Sequence, residues 1–363
     1  MADYAYTVDI GGVLTDVQSI TVTRGRVQIQ DPFKAGTATI TGRNVSALPT
    51  IDIGDTVEIT ATSGLDTFDI FIGIVADIKI TYGQVASMDT WQIDCEDVLA
   101  RVGRALTTSS FSWAAGIDPG DAAEQTVTDA SGGVLSVLYT PTFASNSRVS
   151  AQSLPNTNAL QILNQLAATE QGWLRAKTET VVEFIGRNNI GVGSTYGTFT
   201  DGTLVDVNPT APYDVVNFRS QADSYYQEVV VEPEGLASQK SGTGARRYSF
   251  ASYDQTTTQA KNLADYVLAT LQVQDSVPSV ISAISQVQNN TVAMRTFEDA
   301  ASGNRVELVL RGVRYVLFVE GATLTATPEQ TRWSFNLVSS EALSFFILDS
   351  TTLGVLDTNK LGF

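Results

Sequence analysis

Two stretches near the start of the chain alternate apolar and polar residues, and this period of two restricts the fold more than any other feature. In residues 20–44 the alternating apolar positions are Ile20, Val22, Val27, Ile29, Ala38 and Ile40. In residues 53–81 they are Val57, Ile59, Phe68, Ile70, Ile72, Ile74 and Ile78. Such alternation places the apolar side chains on one face of a sheet. With turn signals at Gly25, residues 31–36 and Ser63–Gly64, the sequence predicts a twisted antiparallel β-meander.

The first domain ends near residue 104, after a further strand at residues 90–95, because the following region has a different composition. Residues 107–155 are rich in Ser, Thr, Ala and Gly, and contain many loop signals and weak strands such as residues 134–139. A helix is then predicted at about residues 157–171, with one apolar stripe formed by Leu160, Leu163, Leu166 and Ala167.

Asn156 or Thr157 is a candidate N-cap of this helix, and Gly172 is placed where a C-terminal glycine belongs. Residues 173–185 follow as a hairpin. A helix followed by a hairpin predicts a separate, smaller α+β domain over residues 105–207.

Prolines at 209 and 212 mark the next boundary, since the residue before a proline is disfavoured in a helix. A polar, glycine-rich loop is predicted at residues 234–247. A helix is predicted at about residues 257–272, where Thr256 and Gln259 have capping-box spacing. The remaining predicted strands are residues 215–221, 226–232, 281–287, 305–310, 314–320, 322–327 and 332–339. Residues 208–341 are therefore a second β-rich domain with one packed helix, and residues 342–363 are a C-terminal tail.

Histidine is absent from the chain, and Cys95 is its one cysteine. Without histidine, Ser-His-Asp hydrolases, Cys-His proteases and His-ligated zinc sites are excluded. Cys95 lies in an alternating stretch, so we expect a small buried hydrophobic residue there. We predict a protein that is not an enzyme and has no catalytic residues, no cofactor and no metal site.

Acidic residues outnumber basic ones by 39 to 22, which gives a net charge of −17. This balance is the opposite of the basic patch that nucleic-acid-binding proteins carry. The chain has no apolar run of about 18 residues and no signal-peptide pattern at its start. We therefore expect a protein that is made in a cytoplasm and has no membrane-spanning segment.

Short segments spread over nearly the whole chain occur in a distinctive order. In the first hundred residues they are Val22–Arg26, Ala35–Ile40, Ile53–Val57 and Phe71–Val75. Further along they are Ala159–Ala167 with Glu170 and Gly172, Val215–Asn217, Ser249–Gln255, Phe345–Leu348 and Lys360–Phe363. In this order they resemble the baseplate hub, or tail-tip hub, proteins of tailed bacteriophages. That family includes the N-terminal structural part of tail-associated lysins and the minor tail proteins.

The resemblance implies a mainly β fold with α+β elements, in which residues 1–104 and 208–341 each form a tube-like β-barrel domain. It implies a homotrimer, in which six similar barrels form a pseudo-hexameric ring that joins the tail tube to the tip of the virion. The implied partners are the distal tail protein ring, the tape measure protein and tail-tip fibres or a central spike. Double-stranded DNA would pass through without sequence-specific binding, and synthesis would take place in the host cytoplasm.

A lumen that passes DNA is expected to be acidic, because an acidic wall repels phosphates and prevents the counterion-release binding that cationic side chains create. As lumen-lining residues we predict Asp52, Asp55, Asp66 and Asp69. As inter-subunit contacts we predict Arg24, Arg26 and Arg43 beside turns, with Phe345 and Phe346 from the apolar run of the tail.

Two alternatives remain open, a tail-tip cell-wall hydrolase and a host-glycan-binding adhesin. Asp94, Glu96 and Asp97 provide the carboxylates that a glycosidase needs. Nearly consecutive residues seldom converge on one bond, so we expect a solvated strand end. A glycan-binding surface is suggested by Trp91, Trp113, Trp173 and Trp333, but all four lie in or near apolar patterns, which favours core packing.

Overall fold

The computed structural model describes most of the chain. The described residues are 4–14, 16–43, 45, 48–139, 147–190, 195–201, 210–218, 226–272, 278–285, 291–340, 345–346 and 360–361. Of the predicted tail, only two short strands lie within this part.

Six antiparallel strands form the first region, and they confirm the predicted alternation. They are β1 (Ala5–Asp9), β2 (Val17–Gly25), β3 (Thr37–Arg43), β4 (Thr56–Ser63), β5 (Asp66–Thr81) and β6 (Thr90–Glu96). They lie in the order β1-β4-β5-β6-β3-β2. The apolar positions predicted in β2, β3, β4 and the first part of β5 are buried. A register shift between β4 and β5 after Ile70 changes the buried face, so Phe71 and Val75 are buried and the predicted Ile72, Ile74 and Ile78 are half-buried. Val27 is exposed and Ile29 is half-buried because β2 ends at Gly25, where φ is +77°.

Helices and short strands alternate in the middle region. They are α1 (Val98–Arg104), β7 (Ser112–Trp113), α2 (Pro119–Ser131), β8 (Ser136–Tyr139), β9 (Gln152–Ser153), α3 (Ala159–Glu170), β10 (Trp173–Ala176) and β11 (Val181–Ile185). The predicted α3 and the β10–β11 hairpin are confirmed. Asn158 caps α3 in place of its two predicted neighbours, since its side chain accepts a hydrogen bond from the N–H of Gln161 at 3.0 Å. α2 was not predicted from the sequence.

The last region contains further strands and two helices. They are β12 (Thr195–Thr200), β13 (Thr210–Pro212), β14 (Val215–Phe218), β15 (Glu228–Pro233), β16 (Gln239–Gly242), β17 (Arg247–Ser252), α4 (Thr257–Gln272), β18 (Pro278–Ile284), α5 (Thr291–Glu298), β19 (Arg305–Leu310), β20 (Val313–Ala326), β21 (Thr331–Ser339), β22 (Phe345–Phe346) and β23 (Lys360–Leu361). The predicted bounds of α4 are confirmed, and so is its capping box: Thr256 and Gln259 exchange two hydrogen bonds of 3.1 Å. α5 is a second helix in this region, and it was not predicted from the sequence.

The predicted loop at residues 234–247 is wrong in its middle part. Residues 239–242 form β16, which pairs antiparallel with β15, and β17 pairs parallel with β15 on the other side. One face of this three-stranded sheet packs on α4, where Val229 and Val231 are buried against Leu263 and Val267. β16 has no apolar periodicity of its own, and backbone pairing with β15 holds its polar residues in a strand.

One 13-stranded sheet joins the first and last regions of the chain. The joint is the β2–β20 ladder, in which residues 20–25 pair antiparallel with residues 326–321. Gly25 and Gly321 face each other there, and a Cβ on Gly25 would lie 2.2 Å from the carbonyl oxygen of Glu320. Within the described residues, the strand pairs do not close either region into a separate ring. The mainly β fold with α+β elements is confirmed, and the predicted domain boundaries stay a prediction.

Candidate functional site

A cavity of about 200 Å³ lies where the first, middle and last regions of the chain meet. We call it the junction pocket. Residues of β2, β5, β10 and the end of α5 line it, together with the start of α1 and the loop before β3. Eight charged residues line the pocket: Arg24, Lys34, Arg175, Lys177, Asp69, Asp97, Glu298 and Asp299. In a chain with few charged residues, this is an unusual concentration of both signs.

Arg24 connects β2 to α5 across the pocket. Its guanidinium donates to the backbone carbonyl of Glu298 at 3.0 Å and to that of Ile70, and it lies over the ring of Phe297 at 4.7 Å. Burial lowers the pKa of Arg24 to about 10. These contacts lie within one chain, so Arg24 holds the first and last regions together.

Asp97 is a buried carboxylate at the start of α1. It accepts hydrogen bonds from the N–H of Leu99 at 2.9 Å and of Gly36 at 2.8 Å, so it caps the helix and anchors the loop before β3. Burial raises the pKa of Asp97 to about 7, although these backbone hydrogen bonds oppose the rise. The predicted solvated strand end is therefore wrong for Asp97, since only 6% of this residue is exposed.

Two ion pairs and one backbone contact fix the other acidic wall of the pocket. Arg175 pairs with Glu183 at 2.5 Å and with Asp299 at 3.5 Å. Glu298 accepts a hydrogen bond from the N–H of Asp69 at 3.0 Å. Burial raises the pKa of Glu298, and the nearby carboxylates of Asp299 and Asp69 raise it further.

The four aspartates predicted to line a lumen are spread along the β4–β5 hairpin, with Asp52 and Asp55 before β4, Asp66 beside the turn and Asp69 opposite Thr60. Asp55 precedes β4 and accepts a hydrogen bond from the N–H of Asp52 at 2.8 Å. At the other end, Asp66 faces Arg295 at 3.7 Å, and Asp69 lies further along the same strand. β4 has eight residues, so Asp66 lies about 25 Å from Asp55 along the strand, and Asp69, opposite Thr60, lies between them. Their lumenal position stays a prediction.

Of the residues predicted at subunit contacts, Arg26 has partners in its own chain. Its guanidinium pairs with Glu320 and lies over the ring of Phe33 at 4.3 Å. Arg43 is exposed at the end of β3. Phe345 and Phe346 form β22, which pairs with β23, and their side chains lie outside the described part of the structure. The inter-subunit role stays a prediction for all of these residues.

Two of the three carboxylates that a hydrolase would need are held in ion pairs. Asp94 accepts from Lys79 at 2.6 Å, and Glu96 pairs with Arg104. Burial opposes ionisation of Asp94, but hydrogen bonds from Lys79, Gln92 and Thr39 outweigh it and lower the pKa. A general acid needs a raised pKa, so Asp94 is a poor candidate.

The remaining predicted features concern the core. All four tryptophans are buried, which confirms core packing, and Cys95 is also buried. Among the described residues, no group of three or more Cys, Asp or Glu side chains is placed to hold a metal ion. In the same part of the chain, no helix is long and apolar enough to cross a membrane.

Comparison with known proteins finds similarity in structure. No protein-family model matches the sequence, and no curated protein matches it significantly. A tail protein from Neisseria meningitidis superposes with a TM-score of 0.66 at 12% identity, over 94% of this chain and 98% of that one. The 43 kDa tail protein of prophage MuSo2 from Shewanella oneidensis superposes with a TM-score of 0.63 at 11% identity, over 93% and 97%.

A component of the type VI secretion system of E. coli also superposes, with a TM-score of 0.52 at 12% identity, over 92% of this chain and 76% of that one. The two tail proteins are matched over nearly their full length, so the likeness covers the whole arrangement of strands and helices. The chain therefore has the fold of phage tail proteins, and the resemblance stated from the sequence is confirmed at the level of the fold.

Proposed function

We propose that this chain is a structural protein of a phage tail tip or baseplate, a hub that joins the tail tube to the tip. The observation that carries the proposal is the fold, which matches two phage tail proteins over more than nine-tenths of each chain. The likeness to a type VI secretion component supports the same class, since that protein also belongs to a multi-protein assembly. In this proposal the chain is located in the virion, assembles as a homotrimer and is not an enzyme.

An exposed apolar surface supports a role in assembly. Ile80, Tyr82, Val85 and Met88, at the end of β5 and in the connection to β6, are 42%, 72%, 53% and 63% exposed. Four exposed apolar side chains within nine residues are typical of a surface that another protein covers. The distal tail protein ring, the tape measure protein and a fibre or spike are the partners proposed for such a hub.

The lumen of the proposed ring is the path for DNA. We propose that Asp52, Asp55, Asp66 and Asp69 face it, which the exposure of Asp52, Asp66 and Asp69 supports. An acidic lining would let the duplex slide without binding, because phosphate binding needs cationic side chains. Among the arginines proposed for subunit contacts, Arg43 is the one whose exposed side chain suits this role best.

The mass of the purified protein tests the assembly. Mass photometry or native mass spectrometry is expected to show a species at three times the 38.8 kDa of one chain.

The double variant Tyr82→Ser/Met88→Ser tests the apolar surface. It is expected to keep the trimer and to reduce binding to the distal tail protein ring, whereas the control Leu236→Ser, at another exposed apolar residue, is expected to reduce neither.

A stable monomer at all concentrations, together with a cryo-EM tail in which the chain is absent from the tip, would contradict the proposal. A cryo-EM map of the assembled tip also tests the lumen. A mainly positive inner surface would exclude the role proposed for the four aspartates.

A further inference from the structure

Two lysines of the junction pocket differ from the other lysines of the chain. The chain has six lysines, and five of their side chains lie in the described part. Lys79, Lys240 and Lys261 each form an ion pair with a carboxylate of the same chain. Lys34 and Lys177 form none with any described residue, and both line the junction pocket. In a chain of net charge −17, two unpaired ammonium groups at one cavity need an explanation.

The carboxylates of the pocket form no ion pair with these lysines, and three of the four carboxylates are engaged by other groups. The engaging groups are the N–H groups of Gly36 and Leu99 for Asp97, the guanidinium of Arg175 for Asp299, and the N–H of Asp69 for Glu298. The fourth, Asp69, is exposed and forms no ion pair with either lysine in the described part of the chain. The ammonium groups are therefore available to an anion from outside the chain.

The size of the pocket limits that anion. Its volume of about 200 Å³ is the volume that about seven water molecules occupy in liquid water. The pocket therefore has room for one or two carboxylate side chains. A DNA duplex presents many phosphates along a stiff rod, and the strongly negative chain repels such a polyanion at long range. A short acidic peptide brings few charges and has the flexibility to place one or two side chains in the cavity.

We propose that the junction pocket binds the carboxylate side chains of an acidic peptide segment of a partner protein, and that Lys34 and Lys177 hold them. The guanidinium of Arg175, which lines the same cavity, adds a third cationic group near the ligand. This recognition site does not depend on the proposed assembly, since it needs only one chain. It lies where all three regions of the chain meet, so a bound segment would contact each of them.

A labelled hexaglutamate peptide is the probe, and fluorescence anisotropy at low ionic strength measures its binding to the purified protein. The double variant Lys34→Gln/Lys177→Gln is expected to weaken binding about tenfold or more, because it removes both unpaired charges. The matched control Lys79→Gln/Lys261→Gln removes the same net charge at two paired lysines and is expected to change binding about twofold or less. Both pairs of lysines are exposed or nearly so, and urea unfolding verifies that each variant is folded.

Carbodiimide cross-linking then locates the peptide. Amide bonds between the glutamates and Lys34 or Lys177, identified by mass spectrometry, support the proposal. Three outcomes would overturn it: no binding by the unchanged protein, equal loss in both double variants, or displacement of the peptide by a short DNA duplex at equal charge concentration. Because the oligomeric mass is measured separately, failure of this site is distinguishable from failure of the proposed assembly.

Discussion

Replacing Asp97 by asparagine should change how the stability of the protein depends on pH. Asp97 is buried, and its pKa rises from an ordinary value near 3.8 to about 7. Between these two values the folded protein keeps a proton that the unfolded chain has released. The free energy of unfolding therefore falls as the pH rises through this range.

The magnitude follows from the size of the rise. Each unit of difference between the folded and unfolded pKa is worth about 1.4 kcal/mol. The free energy of unfolding is therefore expected to fall by up to about 4 kcal/mol between pH 4 and pH 7. The side-chain amide of the Asp97→Asn variant does not ionise and still accepts one of the two hydrogen bonds from Gly36 and Leu99. The lost hydrogen bond costs about 1 kcal/mol at every pH. The variant is thus expected to be slightly less stable than the unchanged protein at pH 4 and more stable at pH 8.

Urea unfolding, followed by the fluorescence of the buried tryptophans at several pH values, measures this difference. Asp121→Asn, at an exposed site in α2, controls for the loss of one carboxylate. A stability difference between Asp97→Asn and the unchanged protein that stays constant from pH 4 to pH 8 would refute the reasoning, because it would mean that Asp97 ionises alike in both states.

Two further predictions concern the joint between regions and the cap of α4. Gly25→Ala is expected to lower the free energy of unfolding by about 3 kcal/mol or more, or to prevent folding. The new Cβ would lie 2.2 Å from a backbone oxygen of β20, and the backbone φ of +77° is unfavourable for alanine. Gly64→Ala, at a φ of +63° with open space around it, should cost only about 1 kcal/mol, and equal costs in urea unfolding would contradict the close approach. Thr256→Ala is expected to lose about 1 kcal/mol with the capping box, whereas Thr258→Ala, at an exposed position in the first turn of α4, should lose almost none by the same assay.

Local patterns were sufficient to predict the elements whose side chains and turns agree. The β4–β5 hairpin has alternating apolar residues up to Ile70 and a glycine turn, and α4 has both an apolar stripe and a capping box. α2 was not predicted because its buried face consists almost entirely of small residues, with Val127 as its one large aliphatic side chain, so apolar periodicity is weak. Asp118 and Pro119 at its start and Gly132 at its end are standard boundary signals that could have identified it.

The junction pocket could not be predicted because its residues meet only through tertiary structure. Asp97 accepts a hydrogen bond from Gly36, which precedes it by 61 residues in the sequence. Arg24 donates a hydrogen bond to the carbonyl of Glu298, which follows it by 274 residues. The residues next to Asp97 in the sequence contain no signal for either contact. β16 is similar, since a four-residue polar segment becomes a strand only when β15 lies beside it.

The β2–β20 ladder also has a consequence for the synthesis of the chain. β3 covers one edge of β2, and the other edge is covered by residues 321–326. At a rate of about 5 to 20 residues per second, a ribosome needs about 15 to 60 s to make the roughly 300 intervening residues. Throughout that interval the nascent first region exposes the unpaired backbone groups of a strand edge, which favours association with other chains. The aggregation-prone edge is therefore covered only after residues 321–326, near the end of the chain, have been made.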